Sequence, residues 1–565
     1  MNTTTKFKSL IILICFFACS FNTIANDTLT FIWQGGVNKT FYLKVTSFKR
    51  FIVNWGDGTI NSYDSFNHVS HTYANTDNYT VTVRGATTDC LFEYFYCYNS
   101  QISDLDVSKA LSLTRLECQG NQLSSLDVSN NTALRELVCS NNQLSNLDVS
   151  KNTDLIRLNC SYNQLNSLNI NNIASLQYLD CRNNQLSNLD VSSNTALTYL
   201  ECSYNRLSTL DVNNNAALIE LYCRCNQLSD LNVKNNTDLK ELYCDNNQLN
   251  NIDVSNNTAL IRLSCDYNQL SILDVYNNTA LTHLYCYSNR LNNLNVSNNI
   301  TLRVLDCSDN QLDNLDVSNN QYLTLLSCDY NQLSTLDLSN HLFLKYLYCS
   351  SNQLNSLDIG DNKILTELWC FNNQLPLSDL YEASKMISDP SRIYLGIQRL
   401  APQTIKIGEP IDYSAQKEFD SIPTDFIVEK NGLPASSNDY SIADGVITFN
   451  HTGYYTVTIT NAAIISHPNY LAKVMAEFYV NPVDLMRTTE EMVKIKVYPN
   501  PTVGELRIMN YELRMGDIAI FDVYGKKLSS YYLITPSSNQ IDISYLPAGI
   551  YFLKTGNETV RIVKQ

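Results

Sequence analysis

From about residue 91 to residue 375, apolar positions recur every twenty-one residues in the order L-x-x-L-x-C-x-x-N-x-L-x-x-L-D-V-S-x-N-T-A, and Leu134 to Asp154 is a nearly complete copy. The cysteines fix the phase: Cys97, Cys118, Cys139, Cys160, Cys181, Cys202, Cys223, Cys244, Cys265, Cys286, Cys307, Cys328, Cys349 and Cys370. A period this strict over half the chain predicts a solenoid of stacked, near-identical coils, about 14 of them. Within one coil, Tyr178 to Arg182 alternate at period two. This predicts a short strand with Leu179 and Cys181 inward and Tyr178, Asp180 and Arg182 outward. Leu186, Leu189 and Val191 complete the coil's core, and they are fully buried only against neighbouring coils. Fourteen strands at about 4.8 Å spacing give a sheet about 65 Å long.

The pattern resembles the leucine-rich repeat family. Cysteine in place of a leucine, together with the period, is most similar to the cysteine-ladder type of bacterial internalin. The resemblance implies a curved parallel sheet that binds another macromolecule.

Three recurring residue types need a role. Asn121, Asn142, Asn163 and their equivalents through Asn373 follow each cysteine by three residues, where the chain leaves the strand. A stacked amide there satisfies backbone groups of adjacent coils. The row Asp127, Asp148, Asp190, Asp211, Asp253, Asp274, Asp316, Asp337 and Asp358 invites a calcium reading, but Asn169, Asn232 and Asn295 replace it in three coils, which favours turn closure. The ladder cysteines are expected as buried, reduced thiols. Their neighbours sit one strand away, near 4.8 Å, whereas a disulfide needs Cβ atoms about 3.8 Å apart. Cys90 and Cys225 lie outside the ladder and receive no assignment.

The flanks set compartment and organisation. Lys6 and Lys8, the apolar run Leu10 to Phe17 and Thr23-Ile24-Ala25 read as a signal peptide over residues 1–25. Phe16-Phe17-Ala18-Cys19 lacks the aliphatic residue of a lipoprotein box. No later apolar stretch reaches the eighteen or so residues needed to span a bilayer. Residues 27–89, with Trp55-Gly56-Asp57-Gly58-Thr59, His71-Thr72-Tyr73 and Tyr79 to Val83, resemble the polycystic-kidney-disease type of β-sandwich and are expected to cap the solenoid (90–375). Pro376 ends the repeats; Leu377 to Ile387 reads as a short helix N-capped by Ser378, within a closing segment 376–395. Residues 396–483 look like an immunoglobulin-like sandwich serving as a spacer, and 484–495 are the expected linker. Residues 496–565, from Val497-Tyr498-Pro499-Asn500-Pro501 to Gly549-Ile550-Tyr551, closely resemble the type A C-terminal sorting domain of the type IX secretion system. That resemblance implies a translocon partner, and either release or attachment at the outer-membrane surface after passage through the periplasm. The fold class expected is therefore predominantly β, a repeat solenoid flanked by β-sandwiches.

A net charge of −16 disfavours nucleic acid and anionic membranes as partners. The six histidines show no metal-ligand spacing, and neither H-E-x-x-H, G-x-S-x-G nor a glycine-rich phosphate loop occurs. No cofactor or metal is expected. Glu117, Asp180, Glu201 and Glu220 could be imagined as an acid–base pair, but they recur along an open sheet. The outward strand positions carry the functional signal. Tyr178, Tyr199, Tyr222, Tyr243, Tyr285, Tyr287, Tyr346, Tyr348, Trp369 and Phe371 interleave with Arg115, Arg157, Arg182, Arg224 and Arg262. Strand propensity explains some of the aromatics. Rigid amphipathic rings among arginines are also the composition of recognition surfaces. The expectation is a non-catalytic surface or secreted protein that binds an extracellular protein or glycan through this face. The other reading is a structural or self-associating spacer.

Overall fold

The computed structural model describes residues 27–482 apart from 37–38, 46–48, 65–66 and 361, and within 483–565 it describes 497–498, 505–508, 518–522, 528, 534–535, 540–543, 546–555 and 558–564. The expected signal peptide and the linker 484–495 lie outside the described residues. Two compact units divide the chain, Met1–Pro482 and Val483–Gln565.

Thirteen three-residue strands, from Arg115–Glu117 to Glu367–Trp369, pair in parallel without a register shift, so that Leu116, Leu137, Leu158, Leu179 and Leu200 stand in one line. Phe92–Tyr96 precedes them and Ile393–Tyr394 follows, both also parallel. The inward leucine and cysteine of each strand are fully buried. A backbone reversal two residues after each cysteine stops the strand: Asn141, Tyr162, Asn183 and Tyr204 have φ between 53° and 56°. Gly120 is the single glycine at this position, and a Cβ there would lie 1.9 Å from Asn99 Oδ1.

Two amide ladders tie the coils together. Asn163 Nδ2 donates to Cys139 O at 3.0 Å and Cys160 O at 3.1 Å, while its Oδ1 accepts from Leu144 N at 3.0 Å. The same arrangement runs from Asn121 to Asn373, as the sequence implied. A second ladder on the opposite side of each coil was not singled out from the sequence. In it, Asn152 Nδ2 donates to Val128 O and Asn131 O at 3.0 and 2.9 Å. Ile173 interrupts this row, and His341 occupies one rung with Nε2 3.1 Å from Val317 O. The aspartates close turns: Asp148 Oδ1 accepts from Ser150 N at 2.9 Å, and Asn232 does the same for Lys234 N at 3.1 Å. All sixteen described cysteines are free thiols, with Cys90 buried and Cys225 half-buried. Burial pushes the ladder thiols well above their ordinary pKa.

At the N-terminal end, an antiparallel sheet runs in the order Ile60–Asp64, Arg50–Asn54, Asn78–Gly85, Thr28–Gln34, Ile102–Lys109. Its last strand belongs to the first coil, and Lys39–Val45 pairs with both Asn67–His71 and Phe92–Tyr96. Strand pairing therefore crosses the expected boundary at residues 89/90, and Trp33, Trp55, Phe92 and Phe95 share one core. Asp27 Oδ2 accepts from Phe92 N at 2.7 Å across that seam. His71 lies flat on Trp55 at 4.5 Å and contacts Asp57 at 2.7 Å, so the W-G-D-G-T motif holds a turn.

At the other end, the helix Leu377–Met386 buries Leu377, Leu380, Tyr381 and Ala383. Its N-cap is Pro376, with no side-chain cap, so the expectation that Ser378 caps it is corrected. The orphan N–H of Leu377 donates instead to Gln416 Oε1 at 2.7 Å. Beyond it, a sheet built on Lys473–Asn481, Gly453–Thr460 and Asp425–Lys430 and a smaller one of Pro410–Asp412, Val446–Phe449 and Tyr440–Ala443 bury Phe449, Tyr455 and Phe478. Gln398 extends the amide ladder into this part, donating to Cys370 O at 3.0 Å.

In the second unit, Val497–Tyr498, Glu505–Ile508, Gln540–Asp542 and Ile534–Thr535 form one antiparallel sheet. Ile518–Phe521, Gly549–Thr555 and Glu558–Lys564 form another.

Candidate binding face

The outward residues of the parallel strands make one continuous surface, because unbroken register places equivalent side chains side by side about 4.8 Å apart. Its centre is a ladder of rings. Arg157 lies 3.6 Å above the Tyr178 ring; Tyr178 stacks on Tyr199 at 4.3 Å; Tyr222 follows at 5.5 Å and Tyr243 at a further 5.0 Å. Arg224 covers Tyr243 at 4.7 Å. The Tyr222 hydroxyl lies 2.9 Å from Glu220 and 2.7 Å from Glu241, and Glu241 is paired in turn with Arg262. Burial, and then those contacts, drive the Tyr222 pKa upward, so the phenol stays a donor.

The ten sequence-predicted residues fall into three groups. Tyr178, Tyr199, Tyr222 and Tyr243 are brought together in the central ladder. Tyr285 and Tyr287 stand apart from it, and Tyr287 packs edge-on against Tyr267 at 4.7 Å. Tyr348, Trp369 and Phe371 meet at 5.5 and 6.1 Å, whereas Tyr346 makes no ring contact with them. This last group is also covered from outside the repeats: Tyr394 lies 4.6 Å from Trp369, and Tyr470 lies 5.0 Å from Phe371. These outward residues are thus half-buried and partly engaged in joining the solenoid to the sandwich that follows.

Burial extends to the polar residues between the rings. Asp180 is 2 % exposed and Glu201 is 6 % exposed, although both lie on the outward face. Desolvation pushes the Asp180 pKa up to about 6, and those of Asp266 and Asp329 up to about 7. The carboxylates imagined as an acid–base pair recur along the open sheet, where Asp180 lies beside Glu201 and Glu220 beside Glu241. Among the described residues no group of histidine, cysteine and carboxylates is arranged to hold a metal.

Sequence reasoning passed over the residues at the backbone reversal. Tyr162, Tyr204, Tyr267 and Tyr330 take positive φ there and are 46 %, 50 %, 49 % and 59 % exposed. The left-handed conformation costs an L-residue about 1–2 kcal/mol. A tyrosine in place of asparagine or glycine at that position was the available signal. Of these, Tyr162 and Tyr204 stand beside the central ladder. Between Tyr162 and Tyr204, a recess of about 300 Å³ opens over Tyr199, Glu201 and Ser203.

Among proteins of solved structure, the functional domain of the internalin InlJ from Listeria monocytogenes, which includes a cysteine ladder, aligns with a TM-score of 0.58 and 28% identity over 72% of this chain and 93% of that one. A leucine-rich repeat protein of Leptospira interrogans aligns at 24% identity and TM-score 0.47, covering 51% of this chain and 80% of that one. An internalin, inlF, also of Listeria monocytogenes, aligns at 22% identity and TM-score 0.45, covering 48% and 87%. No curated protein matches the chain in sequence. Residues 496–565 match the secretion system C-terminal sorting domain. Among the described residues no helix is long and apolar enough to cross a membrane. Parallel coils, a cysteine ladder and this tail together make the chain a leucine-rich repeat protein of the cysteine-ladder type with a type IX secretion sorting domain, exported to be released or held at the outer surface.

Proposed function

We propose that the protein is a non-catalytic binding protein that engages an extracellular protein or glycan through the outward face of its parallel sheet. The observation that carries this reading is the central ladder from Arg157 to Arg262. There, tyrosines and guanidinium groups pack against one another. Preorganised aromatic side chains bind with little loss of conformational entropy. Residues 27–89 serve as the cap, 396–483 as a spacer, and 496–565 as the address read by the type IX translocon and its sorting machinery. The test is to display proteins and glycans on an array and probe them with the purified full chain. Saturable capture of a defined ligand supports the reading, and silence across both classes counts against it.

A second reading, self-association as a surface spacer, draws on one feature. Ile300, Tyr322, Leu342, Phe343 and Ile364 are exposed on neighbouring coils, and the Tyr322 and Phe343 rings stack at 6.1 Å. Light scattering that shows a concentration-dependent oligomer, together with a silent array, would favour it.

A further inference from the structure

The recess beside the central ladder has a composition of its own. Arg182, Ser203 and Arg224 occupy the same position in three consecutive coils, two residues after each strand. A short side chain between two long ones leaves a depression, and its flanking guanidinium groups rise from backbones about 10 Å apart. Tyr199, Glu201 and Ser203 line it from one coil, Tyr222 and Arg224 from the next, and Tyr162 and Tyr204 stand at its rim.

Two of its buried polar atoms have no hydrogen-bond partner. Ser203 is 1 % exposed, and its Oγ has no partner. Arg182 Nε is buried and also lacks a hydrogen bond, lying 3.7 Å from Asp180, while its Nη1 is 3.6 Å from Glu201. Arg224 is 3.6 Å from Asp245. By contrast, the Glu201 carboxylate accepts from Ser203 N at 3.0 Å. Buried donors without partners cost free energy that an incoming acceptor recovers. A guanidinium whose Nε makes no hydrogen bond can take a carboxylate in bidentate geometry.

The walls add a second requirement. Tyr162, Tyr199, Tyr204 and Tyr222 line the recess, and aromatic rings suit the C–H face of a sugar, which a bare carboxylate does not offer. A volume of about 300 Å³ is at the lower end of small-ligand sites. That size suits a single ring with its substituent.

We propose that this recess is a subsite for a carboxylate-bearing sugar unit, such as a uronic acid within a glycan, with the carboxylate between Arg182 and Arg224 over the Ser203 hydroxyl and the ring against the tyrosines. The proposal rests on the reading of this face as a ligand-binding surface and names one ligand class for it.

Calorimetric titration of the purified full chain tests it with three probes: a disaccharide ending in glucuronic acid, the same disaccharide ending in glucose, and a short glutamate-rich peptide. The acidic disaccharide is expected to bind at least tenfold more tightly than either of the others. Arg182→Gln should weaken it tenfold or more. Tyr204→Ala, at an exposed rim position that leaves the core untouched, should weaken it several-fold with an unchanged melting curve. Equal binding of the glucose disaccharide or of the peptide overturns the proposal, as does undiminished binding by a folded Arg182→Gln or Tyr204→Ala protein. So does no binding of any probe. If the acidic disaccharide fails while the array yields another ligand, the subsite is wrong and the binding face stands; if both are silent, both readings fall.

Discussion

The Tyr178 and Tyr199 rings lie 4.3 Å apart and 6° from parallel, on adjacent strands that pair the two residues in register. This near-parallel stack is a direct consequence of the repeat length, because a twenty-one-residue period returns equivalent positions to the same place on the sheet. Aromatic pairs contribute about 0.5–1.5 kcal/mol beyond their buried area. Tyr178→Ala and Tyr199→Ala should therefore show a coupling of about 1 kcal/mol in a double-mutant cycle of unfolding. Additive losses would mean that the rings stack without stabilising one another.

The cysteine ladder makes a separate prediction. Cys181→Ala and Cys244→Ala should each destabilise the solenoid by about 1–3 kcal/mol, since the thiols are fully buried and their removal leaves a cavity. Thiol titration of denatured, unreduced protein should find the ladder cysteines free. Recovery of most of them as disulfides would contradict the packing account.

Stability should depend on pH with a definite sign. Burial raises Asp266 and Asp329 to about 7 from an ordinary value of 3.8, so the folded state holds protons that the unfolded state has released. Their contribution is fully present below about pH 4 and is lost as pH rises through about 7. Asp266→Asn should therefore stabilise the protein at pH 8, by about 1–3 kcal/mol, and change little at pH 4. His341 works in the opposite direction: burial lowers its pKa from 6.5, so its contribution is present above that value and is lost as pH falls. Denaturant melts of the two variants Asp266→Asn and His341→Asn across pH 4 to 8 separate the two effects. A pH-independent difference for Asp266→Asn would contradict the assignment.

Removing residues 496–565 should leave the solenoid folded while the protein accumulates in the periplasm, because the matched sorting domain lies in a compact unit of its own. Cell fractionation decides. Surface display of the truncated chain would show that export uses another signal.

Much of the fold was legible because identical coils repeat one local rule. The Leu179 and Cys181 alternation and the amide of Asn163 recur in nearly every coil, and the turn-closing Asp148 recurs in most, with asparagine in three. What stayed hidden depends on contacts between dissimilar elements. Pairing of Thr28–Gln34 with Ile102–Lys109 joins a cap strand to the first coil, and no periodicity announces it. Tyr470 on Phe371 comes from a segment a hundred residues away, so Trp369 and Phe371 read as open from the sequence although the structure half-covers them. Likewise, alternation placed Asp180 outward but could not show that its neighbours bury it. The rim tyrosines were missed for a different reason: residues two after each cysteine vary freely in type, and their common backbone conformation appears only in three dimensions.

On the proposed function, the outward face of the solenoid binds a ligand through its aromatic ladder. The most direct test is ligand capture on the protein and glycan array by the parent protein and by the Tyr199→Ala and Tyr243→Ala variants, with melting curves recorded in parallel. The account predicts that the parent captures a defined ligand and that both folded variants lose about 2 kcal/mol or more of binding. Folded variants that capture the ligand as well as the parent would contradict it and place the binding site elsewhere on the molecule.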